Sequence, residues 1–165
     1  ILNTVHAYTS TQSLVDGPAK DFRKGRAAAL NIIPSTTGAA IATTKAHPEL
    51  DGQFDGMAMR VPVPVGSVVD VTFIAKRDTT VEEINEAFRK AAADPRWKNI
   101  FAATDEPIVS SDIIGSRVGS IADMSFTRVV GGNLVKVLGW YDNETSYTQT
   151  LVEHVASSSR HLQAA

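Results

Sequence analysis

A histidine surrounded by hydroxyl side chains lies near the start of the chain. His6 belongs to the stretch 4–12, TVHAYTSTQ, in which Thr4 and Thr9 offer hydroxyl groups to an anion or a substrate. An imidazole, with an ordinary pKa of about 6.5, can take or give a proton near neutral pH. The stretch predicts either a catalytic base at His6 or a half-buried strand histidine bonded to a backbone carbonyl. Taken alone, it favours the second interpretation.

Two further positions could bind anions. Thr37 and Gly38 belong to the segment 34–40, which is predicted to open a helix that Pro48 must end, because proline lacks the backbone N–H that a helix needs. Free N–H groups at a helix start attract phosphate, although most helix starts contact only water. Arg60 interrupts an apolar strand, so its guanidinium must reach solvent, pair with a carboxylate or meet an anionic ligand. The residues alone leave these alternatives open.

Strands must position these side chains. A strand that enters a loop is expected at 4–12, and because His6 and Thr9 would point to opposite faces of a regular strand, we expect a bend or strand end between them. The glycine-rich turn at 131–133 predicts a hairpin. An irregular basic stretch at 14–34 contains Arg23. The further strand patterns, by composition and alternation, are 56–63, 67–76, 124–130 and 134–140, together with a short strand that ends in a turn at 107–112.

Two later helices follow from capping residues and apolar spacing. Thr79 or Thr80 can cap the first, with Glu82 or Glu83 as the partner three residues on. Its apolar stripe, expected to cover the sheet, is Val81, Ile84, Phe88 and Ala91. A last helix, capped by Asp142 or Asn143, carries Tyr147, Leu151 and Val155 on one face. The sequence thus predicts an α+β domain with a mixed, largely antiparallel sheet and helices on one face.

Composition narrows the class of protein. The 165 residues suffice for one domain, and 43% hydrophobic with 21% charged residues is typical of a globular chain. The net charge of -2, with dispersed basic residues, argues against nucleic-acid binding, and no apolar run is long enough to span a membrane. The chain has no cysteine and no metal-ligand spacing, which excludes a thiol nucleophile or a thiolate metal site within this segment. Its start is unlike a signal peptide, so we expect an internal part of a longer soluble protein.

Several motifs, in their order and spacing, resemble one enzyme family. They are the stretch 4–12, Val15-Asp16-Gly17-Pro18, residues 31–40, the stretch 56–62, Val109-Ser110-Ser111-Asp112 and residues 140–144. From Thr4 to about Ala156 the chain resembles the C-terminal catalytic domain of phosphorylating glyceraldehyde-3-phosphate dehydrogenases. Each motif is weak alone, but together they are highly specific.

The resemblance implies a reaction and a set of site residues. In that family a cysteine thiolate attacks the aldehyde, the histidine matching His6 activates the thiol and serves as the base, hydride leaves to NAD, and inorganic phosphate displaces the acyl group. The matching residues are Thr9 and Arg60, with Arg23 close by, for the phosphate of glyceraldehyde 3-phosphate, Thr37 and Gly38 for inorganic phosphate, and Asn143 and Tyr147 for the nicotinamide.

The resemblance also implies partners that lie outside this chain. An N-terminal Rossmann domain that binds NAD and carries the nucleophilic cysteine is expected upstream, so the segment alone should be inactive. The stretch 14–33 resembles the loop that packs across the tetramer of this family. We therefore expect a cytoplasmic homotetramer.

Two alternatives remain open. A sister enzyme that oxidises erythrose 4-phosphate passes its acyl group to water, although the presence of Thr37 and Gly38 favours phosphate. A non-catalytic assembly module could keep the fold without the chemistry. The sequence alone does not distinguish either alternative from a domain of a phosphorylating glyceraldehyde-3-phosphate dehydrogenase.

Overall fold

The computed structural model describes the backbone of residues 1–163 and the side chains of residues 1–159. Its strands are β1 (Leu2–Ala7), β2 (Ile33–Thr36), β3 (Gly56–Val61), β4 (Ser67–Ile74), β5 (Phe101–Thr104), β6 (Ser120–Val130) and β7 (Leu134–Tyr141). Its α-helices are α1 (Ala39–Ala46), α2 (Val81–Ala93) and α3 (Thr145–Gln163), and short 3-10 turns lie at Pro48–Leu50 and Pro95–Trp97.

The strands form a seven-stranded sheet in the order β2-β3-β1-β4-β7-β6-β5. Most neighbouring strands are antiparallel, whereas β1 with β3 and β5 with β6 are parallel. Gly131 and Gly132, with φ of 59° and 86°, make the tight turn between β6 and β7, because glycine adopts positive φ without a steric penalty. The α+β class, the mixed sheet and this hairpin are confirmed.

The central strand β1 positions the predicted histidine. It lies between β3 and β4, and its parallel register with β3 sets His6 opposite Arg60. Residues directly opposite each other on neighbouring strands project from the same face of a sheet. The strand ends at Ala7, so Thr9 is free of strand alternation. The predicted strand end between His6 and Thr9 is therefore confirmed.

Helix α2 covers one end of the sheet. The hydroxyl of Thr80 accepts a hydrogen bond from the backbone N–H of Glu83 at 3.2 Å, which decides between the two predicted caps. Phe88 packs on Phe101 of β5 with ring centroids 5.7 Å apart, and Asn85 donates to the Met124 carbonyl of β6 at 3.1 Å. The predicted apolar stripe thus faces the sheet.

Asp142 caps helix α3 and ties it to a preceding loop. One carboxylate oxygen accepts from the backbone N–H groups of Glu144 and Thr145 at 2.9 and 2.8 Å, and the other accepts from Gly115 at 2.8 Å. This assigns the predicted cap to Asp142 and leaves Asn143 available for another role. The expected apolar face of α3 is exposed, at 65% for Tyr147, 47% for Leu151 and 61% for Val155. No helix among the described residues is both long and apolar enough to cross a membrane.

Three local predictions were wrong or incomplete. At 107–112, expected to be a short strand that ends in a turn, the turn is present but the strand is not: the Asp112 carboxylate accepts from the N–H of Val109 at 2.7 Å and so replaces a strand partner. The stretch 14–34 was expected to be irregular and the segment 34–40 to open a helix, but strand β2 covers Ile33–Thr36 and pairs with β3, and helix α1 begins only at Ala39. Strand β5 was not predicted. Helix α1 ends before Pro48 as expected.

Candidate functional site

The imidazole of His6 is oriented by the backbone of the next residue. Its Nδ1 lies 2.6 Å from the carbonyl oxygen of Ala7 and 3.1 Å from Nη1 of Arg60. The same Nη1 lies 3.1 Å from the Ala7 carbonyl, which can accept two hydrogen bonds. A carbonyl oxygen can only accept, so the 2.6 Å contact assigns the ring proton to Nδ1, and the approach of Nη1 to Nδ1 is then a contact between two donors and not a hydrogen bond. Nε2 is then the unprotonated nitrogen, as a general base requires.

The surroundings of His6 favour its neutral form. Burial is the largest influence and lowers the pKa of His6 from its ordinary value of 6.5. The hydrogen bond to the Ala7 carbonyl acts in the opposite direction, and the positive charge of Arg60 lowers the pKa further. The imidazole is therefore ready to accept a proton at neutral pH.

Arg60 presents a positive charge beside this base. Its Nη1 donates to the carbonyl of Ala7 at 3.1 Å and to the hydroxyl of Thr9 at 3.3 Å. Within the described part of the chain Arg60 makes no ion pair, and its hydrogen bonds use Nη1 alone. The carboxylate-pair alternative is thus wrong. Burial lowers the pKa of Arg60, but a guanidinium stays charged in proteins. Nε and Nη2 remain as donors for an anionic ligand.

Tyr141 forms a wall against the imidazole. Its ring meets that of His6 edge-on, with centroids 6.1 Å apart and an angle of 74° between the planes. Its hydroxyl lies 2.8 Å from the hydroxyl of Thr4, which donates in turn to the Val68 carbonyl at 3.3 Å. The Tyr141 hydroxyl is therefore the donor to Thr4. Burial raises the pKa of Tyr141, so the phenol stays neutral.

The side-chain amide of Asn143 has a fixed orientation. Its Oδ1 accepts from the backbone N–H of Gly66 at 3.1 Å and from the hydroxyl of Ser67 at 3.2 Å. Two donors on one atom identify that atom as the oxygen, because an amide nitrogen cannot accept. The NH₂ group makes no hydrogen bond to the described residues and is available to a ligand carbonyl.

An apolar groove brings these groups together. It has a volume of about 780 Å³, and His6, Tyr141, Asn143 and Tyr147 contribute to its lining. Its apolar side is formed by residues of α2, β5 and their connection, namely Phe88, Ala91, Trp97, Ile100 and Phe101. Such a groove, apolar with a few convergent polar groups, suits an organic ligand.

The other predicted anion-binding residues lie apart from His6. Thr37 and Gly38 follow β2, which is antiparallel to β3 and pairs Thr36 with Met57. That level of the sheet is three residues, or about 10 Å, along the strand from Arg60. Arg23 lines a second groove, of about 570 Å³, together with Thr36 and neighbouring residues. The structure therefore gathers His6, Thr9 and Arg60 at one place, while Arg23, Thr37 and Gly38 lie on the β2 side.

Sequence reasoning missed Tyr141 and Ser67. Both face the same side of the sheet as His6, because β4 pairs Ser67 with Tyr141 and β1 pairs Thr4 with Val69. Alternation alone would have shown that they share a face, but only the strand order shows that this face is that of the histidine.

The comparisons with known proteins agree on one family. Residues 1–143 match the family described as glyceraldehyde 3-phosphate dehydrogenase, C-terminal domain. The chain is 52% identical over 153 residues to glyceraldehyde-3-phosphate dehydrogenase of Streptomyces coelicolor, covering 93% of this chain and 46% of that relative. It is 51% identical over 162 residues to the Mycobacterium avium protein of the same name (98% and 47% covered) and 50% identical over 156 residues to that of Geobacillus stearothermophilus (94% and 46% covered). The chain thus spans about half the length of these curated relatives.

Proposed function

The chain belongs to the glyceraldehyde 3-phosphate dehydrogenase C-terminal domain family, and we propose that it is the catalytic domain of an NAD-dependent enzyme that oxidises and phosphorylates glyceraldehyde 3-phosphate to 1,3-bisphosphoglycerate. Membership of an oxidoreductase family follows from the comparisons, whereas the substrate, the cofactor and the roles of single residues belong to the proposal. The observation that carries it is a neutral His6 beside the hydroxyl of Thr9 and Arg60, whose guanidinium pairs with no carboxylate of the described residues.

His6 is the proposed base of the reaction. The chain has no cysteine, so the thiol that attacks the aldehyde lies outside these 165 residues. Nε2 of His6 takes the proton of that thiol, gives it to the oxygen as the thiolate adds to the aldehyde carbon, and takes it again from the resulting hydroxyl as the hydride leaves. The carbon–hydrogen bond electrons leave as hydride, and a thioester remains. Attack by inorganic phosphate then breaks the carbon–sulfur bond and releases the thiolate and the acyl phosphate.

Arg60 and Thr9 are proposed to hold the phosphate of the substrate. The free Nε and Nη2 of Arg60 can bind two phosphate oxygens, a geometry that suits a guanidinium. The Thr9 hydroxyl accepts a hydrogen bond from Nη1 of the same guanidinium. The Ala7 carbonyl holds both Arg60 and His6, which fixes the distance between the phosphate and the reacting carbon.

A second group of residues is proposed to take part in phosphate binding, namely Thr37, Gly38 and Arg23. Gly38 is exposed at the N-terminus of α1, with no atom within 4 Å of an added Cβ, so an anion can approach the backbone. Thr37 accepts from the N–H of Ala39 at 3.1 Å and is only half-buried. We assign inorganic phosphate to Thr37 and Gly38, and we place Arg23 close to the substrate phosphate as the resemblance implies.

NAD is the proposed cofactor, and the groove suits its nicotinamide. When bound, NAD supplies the acceptor for the hydride. The free NH₂ of Asn143 can donate to a carboxamide oxygen, and Tyr147, which lines the same groove, offers an aromatic surface beside the ring. The rest of the dinucleotide is assigned to an N-terminal Rossmann domain, so residues 1–165 alone are expected to be inactive.

Exposed apolar residues support assembly into a homotetramer. Phe22 is 90% exposed and Leu30 79% exposed, and both belong to the stretch 14–33. A cluster of exposed apolar side chains indicates a protein interface. We propose that this stretch packs against another subunit, that the exposed face of α3 packs against the rest of the polypeptide, and that the protein is cytoplasmic.

The test is a steady-state assay of the full-length protein. NADH formation is followed with glyceraldehyde 3-phosphate or erythrose 4-phosphate, each with and without inorganic phosphate. The proposal expects the three-carbon substrate to react faster and to require phosphate. Faster, phosphate-independent oxidation of erythrose 4-phosphate would replace it with the sister activity, and no NADH from either aldehyde would favour an assembly module.

A further inference from the structure

A buried hydroxyl lies behind the groove. Ser67, the first residue of β4, is only 2% exposed and does not contribute to the groove lining. It has no part in the proposed reaction as described above. Its hydroxyl nevertheless contacts residues on both sides of the site.

On one side Ser67 contacts the strand that carries the base. Its hydroxyl oxygen accepts from the backbone N–H of Ala7 at 3.2 Å. The carbonyl of the same residue, Ala7, accepts from Nδ1 of His6 and from Nη1 of Arg60. Ser67 therefore holds the residue whose carbonyl fixes the imidazole tautomer.

On the other side Ser67 orients Asn143. The hydroxyl of Ser67 accepts from the N–H of Ala7, which can only donate, and directs its own proton to Oδ1 of Asn143, 3.2 Å away. The N–H of Gly66 donates to the same oxygen at 3.1 Å. Together the two donors turn the amide so that its NH₂ group is available to a ligand.

We propose that Ser67 is a positioning residue for the cofactor, because its hydroxyl accepts from the N–H of Ala7, in the strand that carries His6, and donates to the amide oxygen of Asn143. This inference rests on the proposed function, which gives His6 and Asn143 their roles. Removal of the hydroxyl leaves Asn143 with Gly66 as its one described donor and leaves a buried N–H at Ala7 without an acceptor. The first of these effects should weaken recognition of NAD through Asn143.

The experiment is a double-mutant cycle in the full-length protein. NAD affinity is measured by isothermal titration calorimetry for the wild type, Ser67→Ala, Asn143→Ala and the double variant. Loss of one neutral hydrogen bond predicts a rise in Kd of about 2- to 10-fold for Ser67→Ala. If Ser67 acts through Asn143, that rise should be absent when Asn143 is already alanine. An unchanged Kd, or the same rise in both backgrounds, would overturn the inference.

Two further variants separate positioning from folding. Ser67→Thr keeps the hydroxyl and should restore NAD affinity, and it serves as the informative variant if the alanine protein does not fold. Thr127→Val is the matched control, since Thr127 is 1% exposed and donates to Oδ1 of Asn85 at 2.6 Å, on the α2 side of the sheet. It should lower stability without changing the Kd. Weak binding by Ser67→Thr, equal to that of Ser67→Ala, would contradict the role of the hydroxyl.

Measurements on the wild-type protein test the proposed function separately from the role of Ser67. A wild-type protein that forms NADH from glyceraldehyde 3-phosphate supports the proposed function whatever Ser67→Ala does. A wild-type protein that binds no NAD overturns both. A wild-type protein that binds NAD but oxidises neither aldehyde overturns the reaction, while the cycle still decides whether Ser67 positions Asn143.

Discussion

Replacement of Arg60 by glutamine should separate phosphate recognition from the effect of Arg60 on the base. Nε and Nη2 are the donors of Arg60 that are free for a phosphate, and hydrogen bonds to charged groups contribute about 1.5–3 kcal/mol each. Because Arg60 is only half-buried, we take the lower value for both bonds, about 3 kcal/mol in total. The kcat/KM for glyceraldehyde 3-phosphate should therefore fall by about 100-fold.

The rates of Arg60→Gln and the wild type can be compared only at a suitable pH. The positive charge of Arg60 is one of the causes that lower the pKa of His6, so its removal should raise that pKa. A base must be unprotonated to act, and the acidic limb of kcat/KM should move to higher pH in Arg60→Gln. Rates are therefore compared above this limb, where His6 is neutral in both proteins.

Unphosphorylated glyceraldehyde is the discriminating substrate. Above the acidic limb its kcat/KM should change little in Arg60→Gln, because it has no phosphate to lose. Arg89→Gln is the matched control, since Arg89 forms an exposed ion pair with Asp105 at 3.4 Å and such pairs contribute little. An equal loss with both aldehydes would refute the assignment of Arg60 to the substrate phosphate.

Three other substitutions test the base, a helix cap and a turn. His6→Ala should lower steady-state NADH formation by about 10²–10⁴-fold, and unchanged turnover would remove His6 from its proposed role. Asp142→Ala should lower the free energy of unfolding in urea by about 1–3 kcal/mol, because three backbone N–H groups lose their acceptor. Burial alone would raise the pKa of Asp142, but the hydrogen bonds from those N–H groups lower it from 3.8 in the folded protein. The stabilisation by the ionised carboxylate is therefore complete above that pH and is lost as the pH falls through the folded-state pKa. A variant whose stability falls as steeply in acid as that of the wild type would contradict this. Gly132→Ala should cost about 1–2 kcal/mol, since φ is 86° and the new Cβ would lie 2.9 Å from the Asp78 carboxylate; an unchanged melting temperature would argue against this strain.

The sequence predicted correctly the elements whose structure depends only on residues near each other in the chain. The hairpin at 131–133 needs only glycines at positive φ, and the cap of α2 needs only a hydroxyl three residues before a glutamate. Strand β5 has four residues and pairs in parallel with β6, so no adjacent turn marks it in the sequence. The residues before the turn at 107–112 were mistaken for a short strand because they are apolar, whereas their backbone bonds to the Asp112 side chain.

The candidate site depends on contacts between distant parts of the chain. The sequence identified His6 and Arg60 as candidates, but 54 residues separate them, and neither the tautomer of His6 nor the lack of an ion pair at Arg60 follows from composition. Asn143 was proposed from the resemblance alone. Its orientation depends on Gly66 and Ser67, 77 and 76 residues away in the chain, which no local pattern connects to it.

The register between β1 and β3 is the feature on which the base and the guanidinium both depend. In a parallel pair with His6 opposite Arg60, the two side chains share a face and meet at the Ala7 carbonyl. A shift of one residue would move Arg60 to the other face of the sheet and place Met59 or Val61 opposite the imidazole. Because β1 stops at Ala7, the chain can turn so that Thr9 meets Arg60 from beyond the strand end. The geometry of the site is therefore a consequence of where one strand ends and how its neighbour is aligned.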